Sequence, residues 1–248
     1  VTEALTLDAL NGMDAAEISR RLSASAPPEE RAAFVAAAAE SGVAEAQTVY
    51  GQMLLDGAGV AADPVAALRW FARAAESGHV MAINMVGRCY DLGWGVAVDK
   101  GRAAEWYYAA ALRGLDWGMY NYATLLTLGE GVAEDRAAAL GWFRRAAAMG
   151  NAKAWNFVGS FHEDGWVVEK DMKEAARCYA IAARGGDFRG QFNHARLEAA
   201  KGRIANALEW LARSAESCNP RFAGQAIGWL NTADPRLAPA VAAFEAVR

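Results

Sequence analysis

Gly93-Trp94-Gly95-Val96-Ala97-Val98-Asp99 decides the fold. The glycines break a helix and the aspartate opens the next one. The same grammar stands 36 residues earlier, at Gly57-Ala58-Gly59-Val60 with Asp63, and 36 residues later, at Gly129-Glu130-Gly131-Val132 with Asp135. A fourth copy, Gly165-Trp166-Val167-Val168 with Asp171, keeps the register and replaces the second glycine. Trp70, Trp106 and Trp142 recur at this period, with Cys178 in the fourth place. A fixed period of this length marks a solenoid, in which each unit buries its apolar face only against its neighbours.

Working outward, each unit reads as two helices. Helix A of the first unit covers about Ala44–Leu55. Gly57 and Gly59 end it, with a left-handed backbone expected at one of them. Asp63-Pro64 opens helix B as N-cap and first-turn proline, and Gly78 stops it. Asp99 and Gly114, Asp135 and Gly150, and Asp171 and Gly186 repeat the device; Asp171-x-x-Glu174 has capping-box spacing. Ala67, Trp70, Phe71, Ala74 and Ala75 form one apolar stripe at helical spacing, which predicts a large aromatic knob seated among small alanines.

The fifth unit is shorter. Its stripe (Ala207, Trp210, Leu211, Ser214, Ala215) comes only 32 residues after the fourth, and its loop shrinks to Lys201-Gly202-Arg203. A half-unit with Phe34, Val35, Ala38 and Ala39 precedes the array, opened by Pro27-Pro28. The reading is an all-α solenoid of about five helix–turn–helix repeats in a single domain, 1–248. An N-terminal cap and half-repeat occupy 1–42. Full repeats follow at 43–78, 79–114, 115–150 and 151–186, then a shortened repeat at 187–217 and a C-terminal cap at 218–248. Asp234-Pro235 opens the last helix.

Composition narrows the function. The net charge of −4 argues against a nucleic-acid partner. No apolar run approaches the roughly 18 residues of a transmembrane helix. Cys89, Cys178 and Cys218 share no repeat spacing, so they read as small buried residues rather than a disulfide framework. The start, Val1-Thr2-Glu3-Ala4-Leu5, lacks the basic and apolar regions of a signal peptide, which points to the cytoplasm. It also lacks Met, so a removed leader keeps the periplasm or export open.

The chain resembles the Sel-one-like repeat family, relatives of the tetratricopeptide repeat with a longer loop. Tyr50-Gly51, Gly57, Gly59-Val60, Asp63, Ala67, Trp70-Phe71, Ala74-Ala75 and Gly78 carry the resemblance, and it extends over about residues 28–217. Departures are Ala123 and Val167 for glycine and Cys178 for tryptophan. The resemblance implies a right-handed α/α superhelix with helices A inside and helices B outside. It also implies an adaptor or scaffold that holds a protein or peptide partner, in a bacterial setting. The family shares no catalytic residue, so none is carried over.

Searching for chemistry gives little. His79 sits in a helix–helix turn, and His162-Glu163-Asp164 lacks a second His or Cys at metal-ligand spacing. Cys178 occupies a packing slot and is expected to be buried and inert. The Gly-x-Gly-Val loops lack the Gly-Lys-Ser/Thr ending of a phosphate loop. No catalytic residue, cofactor or metal is therefore assigned, and the chain reads as a non-enzymatic scaffold. By analogy with tetratricopeptide repeats, four positions per helix A face the groove. Glu45, Thr48, Gln52 and Leu55 come first, then Met81, Asn84, Arg88 and Asp91. The third and fourth units supply Trp117, Tyr120, Thr124 and Thr127, then Lys153, Asn156, Ser160 and Glu163. The fifth supplies Arg189, Phe192 and Arg196.

From these the candidate partner-binding set is Asn84, Arg88, Trp117, Tyr120, Thr124, Lys153, Asn156, Arg189, Phe192 and Arg196. Asn84 and Asn156 bracket a peptide backbone, the cations hold a carboxylate, and the aromatics anchor. The competing reading has Trp117 and Tyr120 only filling space between adjacent helices A. Trp94 and Trp166, equivalent loop residues, either pack on their own helix B or form an aromatic rim. A second functional class is an envelope glycan or small-ligand module, since sugar faces stack on tryptophan.

Overall fold

The computed structural model describes residues 12–247. The expected N-terminal cap therefore falls partly outside the described residues, at 1–11. Among the described residues every regular element is helical. Helices α1 (Ala15–Leu22) and α2 (Pro28–Glu40) lead in. The A helices are α3 (Ala44–Asp56), α5 (Val80–Leu92), α7 (Asp116–Leu128), α9 (Ala152–Asp164) and α11 (Phe188–Ala200). The B helices are α4 (Pro64–Glu76), α6 (Lys100–Leu112), α8 (Arg136–Ala148), α10 (Met172–Arg184) and α12 (Ile204–Ser217). Helix α13 (Pro220–Leu230), a 3-10 turn (Pro235–Ala240) and α14 (Val241–Glu245) close the chain.

The backbone falls into two compact units divided between Glu134 and Asp135. In the first, α2 packs on α3, α3 on α4, and so on through α7; in the second, α8 packs on α9 and the order continues through α12. Sequential neighbours are thus spatial neighbours within each unit, as a repeat array requires.

Local chemistry sets the helix boundaries. The carboxylates of Asp63, Asp99 and Asp135 accept the amides of Ala66, Arg102 and Ala138 at 2.9, 3.0 and 2.8 Å. Asp171 takes those of Lys173 and Glu174 at 2.9 and 3.0 Å. Each cap satisfies amides left over by the first turn, worth about 1 kcal/mol. In the first three loops both glycines, not one, adopt positive φ. The second makes a close approach as well: a Cβ on Gly95 would stand 2.2 Å from the Pro64 carbonyl oxygen at the start of α4. Val167 holds this place in the fourth loop with φ 53°, among the described residues the one non-glycine with positive φ.

Packing separates the two aromatics of each stripe. The largest fully buried side chain of each B helix is the residue after the tryptophan position: Phe71, Tyr107, Phe143, Tyr179 and Leu211 are at most 1% exposed. Trp70, Trp106, Trp142 and Trp210 are half-buried, and Arg73, Arg145 and Arg213 lie over Trp70, Trp142 and Trp210 at 4.7–5.0 Å. Aliphatic stem and cation both cover the indole face, which suits a partly wet site. A glycine seats the buried ring. A Cβ at Gly87 would meet the Tyr107 ring at 2.7 Å, so the bare backbone lets the tyrosine lie across α5.

Cys178 is fully buried and its thiol is pushed up to about 12, chiefly by burial. Cys89 is likewise buried, whereas Cys218 is half-buried. In the shortened repeat, Glu198 replaces the missing loop. Its buried carboxylate binds Arg203, Lys201 and Asn206, and the Arg203 hydrogen bond leads in lowering its pKa to about 2. The C-terminal elements form one apolar cluster in which Leu211, Phe222, Leu230, Leu237 and Phe244 bury together with Phe192.

Candidate binding surface on the A helices

Within each unit the A helices place residues of one register on neighbouring helices. Thr48, Asn84, Tyr120, Asn156 and Phe192 share a register, one per repeat. Their surroundings differ, and the differences define the surface.

In the first compact unit, Asn84 is 3% exposed and its Oδ1 accepts the Nδ2–H of Asn121, on the next A helix, at 3.0 Å. The second unit repeats the pair 72 residues later: Asn193 Nδ2 donates to Asn156 Oδ1 at 2.9 Å. Asn121 and Asn193 lie one residue off the register considered in sequence, so the pairing was not foreseen. Their own 72-residue spacing was the available signal. Oδ1 is used in both Asn84 and Asn156. Neither Nδ2 has a protein partner among the described residues, and neither is sealed from solvent as the Oε1 of Gln191 is.

A carboxylate near the end of α5 and of α9 ties each A helix to its B helix. Tyr107 reaches across Gly87 and donates to Asp91 at 3.0 Å, and Lys100 Nζ sits 2.5 Å from the same group. Seventy-two residues on, Tyr179 donates to Glu163 at 2.6 Å and to Ser160 at 3.2 Å. Burial and the neighbouring carboxylate raise both phenols well above their ordinary range, so they remain donors. Burial disfavours charge on Glu163, yet the bonds from Arg196 and Tyr179 hold its carboxyl below the usual range.

The predicted set divides accordingly. Arg196 Nη2 contacts both oxygens of Glu163, at 2.9 and 2.7 Å, so this cation is already neutralised. Phe192 is no groove anchor: it packs edge-on against Phe222 and Trp229 in the C-terminal core, because the cap covers the last A helix. Arg189 lies flat on Phe188 and Phe222, at 4.6 and 5.6 Å. The Thr124 hydroxyl bonds its own helix at the Tyr120 carbonyl. Trp117 is 38% exposed and meets Tyr120 edge-on at 6.0 Å. Arg88 lies over Trp94 at 4.7 Å, and Trp166 packs on Phe161 and under Arg136. Trp94 thus lies under a side chain of its own helix A, and Trp166 between Phe161 of helix A and Arg136 of B helix α8.

Two N-caps add to the surface. His79 caps α5 by accepting the Ala82 amide on Nδ1 at 3.3 Å, with Thr48 Oγ1 2.9 Å from the same nitrogen. The proton is then on Nε2, which donates to Glu45 at 2.7 Å. Asp187 caps α11 through Oδ2, while its Oδ1 is buried without a partner. Burial raises its pKa, against the pull of Arg189 and Lys153. Lys153 is half-buried at the register of Trp117 and Arg189.

The Sel1 repeat profile matches residues 44–79, 80–115, 118–151 and 152–187. The chain belongs to the Sel1 repeat family. Among solved structures, this Sel1 repeat chain is similar to a Sel1 repeat protein from Oxalobacter formigenes. The two are 26% identical, with 93% of this chain and 97% of that one covered and a TM-score of 0.78. It is also similar to c5321, a protective antigen of uropathogenic Escherichia coli with the same repeat fold. That likeness has 24% identity and a TM-score of 0.65, over 88% of this chain and 49% of that one. The immunity protein Pa5087 from Pseudomonas aeruginosa shares the fold at 17% identity and a TM-score of 0.56, over 82% and 80%. No curated protein matches the chain. Among the described residues, no helix of this Sel1 repeat protein is long and apolar enough to cross a membrane.

Proposed function

We propose that the protein is a non-enzymatic scaffold that holds a protein or peptide partner on its A helices. The observation that carries this reading is the pair of buried asparagines, Asn84 and Asn156, each with an unpartnered amide nitrogen. Each amide nitrogen is left to solvent and so stays available as a donor. The frame does not require it, since Thr48, Tyr120 and Phe192 fill the same register. A partner's main-chain carbonyl would satisfy the nitrogen. The buried, high-pKa thiol of Cys178 offers no nucleophile, and Glu163 is committed to Arg196 and Tyr179.

Site-specific photo-crosslinking in native cells tests the reading. A crosslinking side chain at Thr124 or Ser160 on the A helices is expected to trap a partner. The same group at Arg73 or Arg213 on the B helices is expected to trap none. Crosslinks confined to the B-helix positions would overturn it.

A further inference from the structure

We propose that Asn84 and Arg88 of α5, with Asn121 of α7, receive a carboxylate of the bound peptide. This deepens the scaffold reading above and rests on it.

Asn84 and Arg88 are four residues apart on one helix and so lie on the same face. The Asn84 side chain is almost wholly buried, its Oδ1 is taken by Asn121, and its Nδ2 protons have no protein acceptor. The Arg88 guanidinium is held over the Trp94 ring and donates to the Met85 sulfur at 3.6 Å. No carboxylate partners it among the described residues. The acidic residue one turn on, Asp91, is already taken by Lys100 and Tyr107. Two sets of donors therefore stand one turn apart on the same helix face, neither matched by a carboxylate. One of them is a preorganised guanidinium fork, which matches the two oxygens of a carboxylate. A single positive charge beside a neutral amide suits a singly charged anion rather than a phosphate.

The second unit provides a contrast on the same frame. Ser160 stands where Arg88 does, and Arg196 of the next A helix is neutralised by Glu163. Asn193 Oδ1 also accepts from Arg196 at 3.4 Å. The carboxylate site thus belongs to the first unit.

The anion has two sources, a peptide C-terminus or an Asp or Glu side chain. The test follows the ¹⁵N signals of the Asn84 and Asn121 side-chain amides and of Arg88 Nε. Three peptides are titrated: Ac-Ala-Ala-Ala with a free carboxylate, Ac-Ala-Glu-Ala-NH2 and Ac-Ala-Gln-Ala-NH2. Saturable shifts are expected with one or both charged peptides, and the tighter of the two identifies the source. The glutamine peptide is expected to bind at least about tenfold more weakly. Arg88→Gln lowers the charged peptide's affinity by about tenfold or more, in line with a charge-assisted bond. Arg73→Gln, which removes a guanidinium stacked on Trp70 of a B helix, leaves it unchanged. Should Arg88→Gln fail to fold, Asn84→Asp places a like charge at the site and is expected to abolish binding.

Equal affinity for the glutamine peptide would overturn the carboxylate site and leave peptide binding standing. No saturable shift with any peptide would overturn the site as well, and the crosslinks at Thr124 and Ser160 then decide the scaffold reading separately.

Discussion

Val167 stands in the left-handed region with a branched side chain, at a loop position where three other repeats have glycine. That backbone costs a β-branched residue about 1–3 kcal/mol. The side chain is exposed, so little burial offsets the cost. Val167→Gly is expected to stabilise the protein by about 1 kcal/mol after the extra chain entropy of glycine is counted. Thermal unfolding would show a rise of about 2–4 °C. Asp187 makes a second prediction at this scale. Burial raises its folded-state pKa above the unfolded value, so its contribution is complete at low pH and is lost as pH rises through the folded pKa. Asn151 already caps α9 at the same register, accepting the Ala154 amide at 3.0 Å. Asp187→Asn keeps that cap without the charge. Denaturant titrations should show a more stable protein at pH 7, with the gain vanishing as pH falls into the ordinary carboxylate range; a gain unchanged across pH would refute this account.

At the scale of elements, the repeat works because helix A yields space to helix B. Gly87→Ala sets a methyl against the buried Tyr107 ring and disturbs its bond to Asp91. The overpacking is expected to cost about 2–3 kcal/mol, more than alanine's helix propensity returns. Gly141→Ala, in the middle of α8 with open space around it, should instead stabilise by about 1 kcal/mol. Opposite signs in chemical denaturation would separate a packing glycine from an incidental one. Helix boundaries were legible in the sequence, since cap and breaker act within four residues. Which aromatic of the stripe goes deepest was not legible from size alone: adjacent helical residues differ by about 100° in facing, and packing buries Phe71 beyond Trp70.

For the whole molecule, the C-terminal elements complete the second unit rather than decorate it. Phe222, Leu230, Leu237 and Phe244 bury with Phe192 and Leu211 in one cluster. Ending the chain after Ser217 exposes that face, and the expected outcome is rapid proteolysis of α11 and α12. Phe244→Ala alone should cost about 3–5 kcal/mol, measurable by urea denaturation; wild-type protease resistance in the truncated chain would contradict this role. The candidate surface was only half legible beforehand. Asn84, Arg88 and Asn156 were picked out by register, but Phe192 belongs to the core and Arg196 is spent on Glu163.

The sequence by itself determined the period, the helix–turn–helix unit, the capping aspartates and the family, because those signals are local and repeat in register. Only the tertiary structure decided which polar groups remain available. Asn121 meets Asn84 across 37 residues, Arg196 meets Glu163 across 33, and His79 meets Glu45 across 34. Such partners are set by the stacking of one helix on the next. A side chain's own neighbours in sequence do not reveal whether a buried donor is already satisfied.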